Sequence, residues 1–241
     1  MIEQHLDITT PDGAMNTFVA HPDEGGPRPV VLLLMDAPGK REELHTMVRR
    51  IASAGYFALV SNLYYRDVPA YNVFETGDRD RMFQLMSNVS NAQAVQDCRY
   101  MLDFAATHAD YADVSRVGVV GYCMSGPFAI AAASGIPTVK AAASFHGVSL
   151  ATDAPDSPHL RLGETTAALY VGAAETDSYA PPEMIDAFDT AGKASGANCR
   201  VEWYPGTEHG FVFPGRPQYD QAAAERHWVR IHDLFRNALN P

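Results

Sequence analysis

A chain of 241 residues, 46% hydrophobic and 20% charged, has enough apolar surface for one large α/β domain. Its net charge of −11 leaves no basic excess to neutralise phosphates, so nucleic acid is not an expected partner. Three cysteines without C-x-x-C spacing exclude a disulfide scaffold, and no apolar run approaches the ~18 residues of a membrane span.

The predicted elements alternate between strand and helix, which favours a mostly parallel sheet covered on both faces. A hairpin is expected from Leu6–Thr9 and Asn16–Ala20 around a Pro11-Asp12-Gly13 turn. Pro29–Met35 reads as a buried central strand, Arg41–Ala54 as a helix stopped by Gly55, and Phe57–Ser61 as the next strand. Residues 62–80, rich in Tyr, Asn, Asp and Pro, read as an irregular loop near the mouth of a site. Gln93–Thr107 has helical spacing, with Val95, Cys98, Met101, Leu102 and Ala105 on one side. Further strands are expected at Arg116–Val120, Lys140–Phe145, Ala167–Val171 and Cys199–Tyr204, and helices at Met124–Ser134, Pro182–Ala194 and Gln218–Leu239. No repeat or linker divides the chain, so a single domain over residues 1–241 is expected.

One junction carries chemistry. Val117-Gly118-Val119-Val120-Gly121-Tyr122-Cys123-Met124-Ser125-Gly126 is a β-branched run ending in small-x-Cys-x-small before an alanine-rich helix. That pattern is a nucleophile elbow, a sharp strand-to-helix turn that raises a reactive side chain above the sheet edge. The helix that follows aims N–H groups at the sulfur and favours the thiolate. A nucleophile needs a base and a residue to orient it. His209, after the last strand, is the candidate base. Asp177 is the candidate acid, with Glu175, nearer the strand end, as its rival. The order Cys123, Asp177, His209 matches nucleophile, acid and base in the α/β-hydrolase fold.

The Gly-Tyr-Cys-x-x-Gly, Asp-x-x-x-Pro and His-Gly-Phe segments, with Pro29–Asp36 and Asn62-Leu63-Tyr64-Tyr65-Arg66, resemble the dienelactone hydrolase family over nearly the whole chain. The resemblance implies an α/β-hydrolase with a Cys-Asp-His triad that cleaves esters or lactones through a thioester, without cofactor or metal. The Met124 N–H, and Ala37 after the early central strand, are expected to stabilise the oxyanion. The family places a glutamate near its nucleophile; this chain offers the shorter Asp36, either beside the thiol or paired with Lys40 or Arg41. Ser125 stands where the family has glycine and is expected to add a hydroxyl to the site. The family also holds a substrate carboxylate with two arginines. Arg79 or Arg81 is the expected first, while the position of the second is Phe213, with Arg216 just beyond. Tyr122 and His146 complete the candidate pocket residues, His146 alternatively being a core-edge histidine. A dienelactone is therefore a doubtful substrate, whereas ester or lactone hydrolysis fits.

Two other functions compete. A non-catalytic binding protein on this fold would ordinarily lack a triad member, and a cysteine-based redox sensor would want a resolving cysteine near Cys123. The segment Met1–Asp7 has no basic or apolar targeting pattern, so a cytoplasmic location is expected, with a monomer as the default state.

Overall fold

The computed structural model describes residues 1–239. The chain opens with a hairpin, β1 (Ile2–Thr10) paired antiparallel to β2 (Gly13–His21). β3 (Arg28–Leu34) follows, buried at every residue after the first, as expected of a strand covered on both faces. α1 (Glu42–Ser53) leads to β4 (Phe57–Ser61). The segment read as irregular contains a short helix, α2 (Val73–Thr76), and runs at its end into α3 (Arg79–Ser87), which has no counterpart among the expected helices. Side chains start both: Asn72 accepts from the Phe74 N–H and Asp78 from the Arg81 N–H.

α4 (Asn91–Ala106) begins two residues before the expected start, fixed by a Ser90–Gln93 capping box. β5 (Ala112–Tyr122), α5 (Gly126–Gly135) and β6 (Val139–Phe145) come next, with a 3-10 turn at Cys123–Ser125 between the first two. A second 3-10 segment, Pro158–Glu164, precedes β7 (Ala168–Thr176), α6 (Pro182–Ser195), β8 (Cys199–Glu208) and α7 (Gln221–Leu239).

The eight strands form one sheet in the order β1-β2-β4-β3-β5-β6-β7-β8. It is parallel from β4 to β8, and the hairpin joins it antiparallel through β2. From β3 the chain first crosses to β4 on one side and later returns to β5 on the other. That reversal opens a crevice beyond the carboxyl ends of β3 and β5, where open α/β sheets place their ligand sites. Helices cover both faces. α7 lies so close to β5 that a Cβ on Gly118 would press into Phe235.

Candidate active site

Cys123 sits where β5 turns into α5, and its φ of +55° is in the left-handed region that is costly for any residue but glycine. The neighbours make the turn possible. A Cβ on Gly121 would collide with the Ser125 carbonyl, and one on Gly126 with the Ser144 hydroxyl and Gly147 backbone. Ser125 is fully buried; its hydroxyl accepts from the Tyr122 N–H (2.9 Å) and donates to the Leu34 carbonyl (2.9 Å). It pins the elbow to β3 and does not join the cavity, contrary to the sequence expectation. Cys123 itself is half-buried and lines a cavity of about 730 Å³.

Two loops at neighbouring strand ends supply the rest. Asp177 follows β7, where its Oδ1 accepts from the N–H groups of Tyr179 (2.9 Å) and Ala180 (3.2 Å). Its Oδ2 lies 2.7 Å from Nδ1 of His209, which follows β8. This bond fixes the proton on Nδ1 and leaves Nε2 for another partner. Burial works against a charged His209. Hydrogen bonds to Asp177 and Cys123 outweigh it and push the pKa up to about 9. Glu175, the rival acid, is exposed and accepts from the Gly206 N–H at 2.6 Å, away from the imidazole.

Asp36 departs most from expectation. It is fully buried, and both its oxygens meet guanidinium groups: Oδ1 is 2.5 Å from Arg41 Nη1, while Oδ2 bonds Arg216. Arg41 also pairs with Glu43 at 2.5 Å, and Glu43 accepts from the Gly215 N–H at 3.1 Å. Burial lowers the Arg41 pKa, but these two acids more than compensate and raise it. Of the alternatives, the pairing with Arg41 holds, and Lys40 bonds His45 instead. The contacts of Asp36 are with cations and not with the thiol. A carboxylate at a buried strand end is costly unless paired, and the two arginines provide that pairing.

Phe213 is likewise buried and does not line the cavity; its ring lies 5.1 Å from the Arg41 guanidinium and 4.3 Å from that of Arg216. It serves as the platform on which Arg216 reaches the cavity wall. Between the other two arginine candidates, Arg79 lines the cavity, whereas Arg81 bonds Gln84 (2.6 Å) outside it. Tyr122 is fully buried and donates to Nε2 of His227 (2.9 Å), whose Nδ1 faces the Ala224 carbonyl (3.0 Å). His146 is also behind the site. It is 1% exposed, at φ +39°, with its ring 4.8 Å from that of His209 and neither ring nitrogen hydrogen-bonded. Burial, then the nearby His209, lowers its pKa and keeps it neutral.

Ala37 lines the cavity beside Cys123. Sequence reasoning missed Tyr64, whose hydroxyl donates to the Ala37 carbonyl (2.9 Å) and touches the Met124 sulfur (3.2 Å). It therefore ties together the two segments expected to face an oxyanion. Its place in Asn62–Arg66 was the only signal, because the partners are 27 and 60 residues away. Among the described residues, no three His, Cys, Asp or Glu side chains converge on a metal position, and no helix is long and apolar enough to cross a membrane.

A mostly parallel eight-stranded sheet, with a strained turn at the end of β5 facing an Asp-paired histidine, defines an α/β-hydrolase fold. More narrowly, the chain belongs to the dienelactone hydrolase family, which it matches over residues 15–239. This places it among hydrolases. A protein of Methylorubrum extorquens described as "Putative carboxymethylenebutenolidase" is 31% identical, covering 98% of this chain and 81% of its own. A protein of Synechocystis with the same description is 27% identical over 92% of this chain and 91% of its own. The crystal structure of a "Putative Dienelactone Hydrolase" from Klebsiella pneumoniae superposes with a TM-score of 0.88 at 26% identity, covering 97% of this chain and 98% of that one.

Proposed function

We infer that this protein hydrolyses carboxylic esters or lactones through a thioester on Cys123. The observation that carries the reading is the Asp177–His209 bond of 2.7 Å, in a cavity whose floor holds a strained Cys123. His209 takes the thiol proton, and the thiolate attacks the substrate carbonyl. The tetrahedral oxyanion falls to the N–H groups of Met124 and Ala37, with Tyr64 holding both segments in place. Collapse forms the thioester and releases the alcohol, which leaves with the proton from His209. Water then attacks the thioester with His209 as base, and the acid product departs. Asp177 keeps the imidazole in the required tautomer and stabilises its cation throughout.

In this reading Asp36 orients Arg216 and does not exchange a proton with the thiol. Arg79 and Arg216 are the cationic side chains among the described residues that line the cavity. The small-molecule ester is the expected partner, and neither a cofactor nor nucleic acid enters the reaction. The test is steady-state hydrolysis of p-nitrophenyl acetate beside a dienelactone, with Cys123→Ala as control. Turnover of either, together with a thioester adduct of Cys123 by mass spectrometry, supports the reading. Turnover that persists in Cys123→Ala overturns the mechanism.

A further inference from the structure

The chemistry proposed at Cys123 leaves the apolar α2–α3 lining of the cavity without a role. α2 and α3 supply that lining through Val73, Phe74, Met82, Phe83 and Met86. Phe74 is 59% exposed and Phe83 40%, so two large aromatic side chains of the lining are open to water. Large exposed apolar side chains lining one cavity mark a surface that is covered when occupied. Met82 and Met86 stand one turn apart on α3, and their unbranched thioether chains adapt to a flexible occupant.

The charges around the cavity do not select an anion as that occupant. Besides His209, its charged lining residues are Arg79, Glu208 and Arg216. Arg216 is already bonded to Asp36, and Arg79 and Glu208 add one charge of each sign to the lining. A cavity of about 730 Å³ is also far larger than an acetyl ester requires. It falls within the ~300–1,000 Å³ range of sites for drug-sized ligands.

Resting on the hydrolase reading, we propose that the α2–α3 wall is a subsite for a medium-length alkyl arm of an uncharged ester. The reacting carbonyl lies at Cys123, and the arm runs along Met82 and Met86 and beneath Phe74 and Phe83. The residues that set specificity are thus on two helices absent from the expected elements.

The test reads the wall without depending on turnover. Cys123 of the intact protein is alkylated with N-alkylmaleimides from methyl to hexyl, each rate divided by that of glutathione. Adducts are mapped to Cys123, with Cys123→Ala as control. Burial contributes about fourfold per methylene, so the normalised rate should rise at least about tenfold from methyl to hexyl. In the Phe74→Ser/Phe83→Ser double variant that ratio should fall by at least about threefold. A flat series, a series that never reaches Cys123, or a hexyl advantage that survives the double variant overturns the subsite. A parallel series from p-nitrophenyl acetate to hexanoate separates the two readings. A rising maleimide series without ester turnover removes the hydrolase reading and keeps the subsite. Ester turnover with a flat maleimide series does the reverse.

Discussion

His209 stands between two groups that both favour its protonated form, Asp177 at Nδ1 and the Cys123 sulfur. Substituting Asp177 therefore changes more than a charge, since Asn in its place can donate to Nδ1 and impose the wrong tautomer. Asp177→Asn is expected to lower kcat/KM by about 10³–10⁴-fold, with Glu175→Gln within about threefold, as measured on a p-nitrophenyl ester. The reverse ranking would reassign the acid. Asp36 gives a second prediction at this scale. Its side chain is wholly buried between guanidinium groups that are 5% and 12% exposed. Removing the charge in Asp36→Ala strands Arg216 and leaves Arg41 with Glu43 alone, and unfolding in urea should show a loss of about 3–5 kcal/mol.

At the level of elements, the β5–α5 junction is held from inside. Gly121 makes room for the Ser125 carbonyl, and the Ser125 hydroxyl clips the turn to Leu34 on β3. Ser125→Ala leaves the Tyr122 N–H and the Leu34 carbonyl short of a partner. It should cost about 1–3 kcal/mol, read as a lower urea midpoint. Gly121→Ala should be worse for function than for folding, because backbone cannot yield as a side chain does and Cys123 would be displaced. Circular dichroism close to wild type with slowed alkylation of Cys123 is the expected result, whereas wild-type alkylation would show that the turn tolerates the extra methyl. The α2–α3 segment behaves differently. It lies over the cavity mouth with two aromatics facing water, so its substitutions should alter selectivity more than stability.

Across the whole molecule, two histidines oppose each other in their effect on stability with pH. The folded pKa of His209 is raised from 6.5 to about 9, so its contribution is complete below pH 6.5 and disappears as pH climbs through about 9. His227 goes the other way. Burial on the inner face of α7 lowers its pKa from 6.5 to about 3, so its contribution is complete above pH 6.5 and is lost as pH falls towards 3. The thermal stability of the wild type should therefore fall between pH 6.5 and 3. In His227→Phe that acid-side slope should be shallower, despite lower stability at neutral pH from the lost Tyr122 bond. An identical slope would assign the acid sensitivity elsewhere.

The strands from β3 onward, the elbow and the hydrolase family were legible in the amino-acid order, because each rests on local features. Apolar β-branched runs announce buried strands, and a tight turn demands small residues around its nucleophile. The same local logic missed α3, whose start depends on the side chain of Asp78 and whose burial depends on distant packing. It also assigned Ser125 to the cavity, and it left Asp36 open between the thiol and a pairing with Lys40 or Arg41 without finding Arg216. Those assignments turn on partners in other elements: Leu34, 91 residues from Ser125, and Arg216, 180 residues from Asp36. Sequence by itself thus determined which residues could react and in what order they occur. Only the tertiary structure decided which acid meets His209, which arginines line the cavity and which helices wall it. Those choices are distances between loops at the ends of different strands, and sheet order, not local periodicity, sets them.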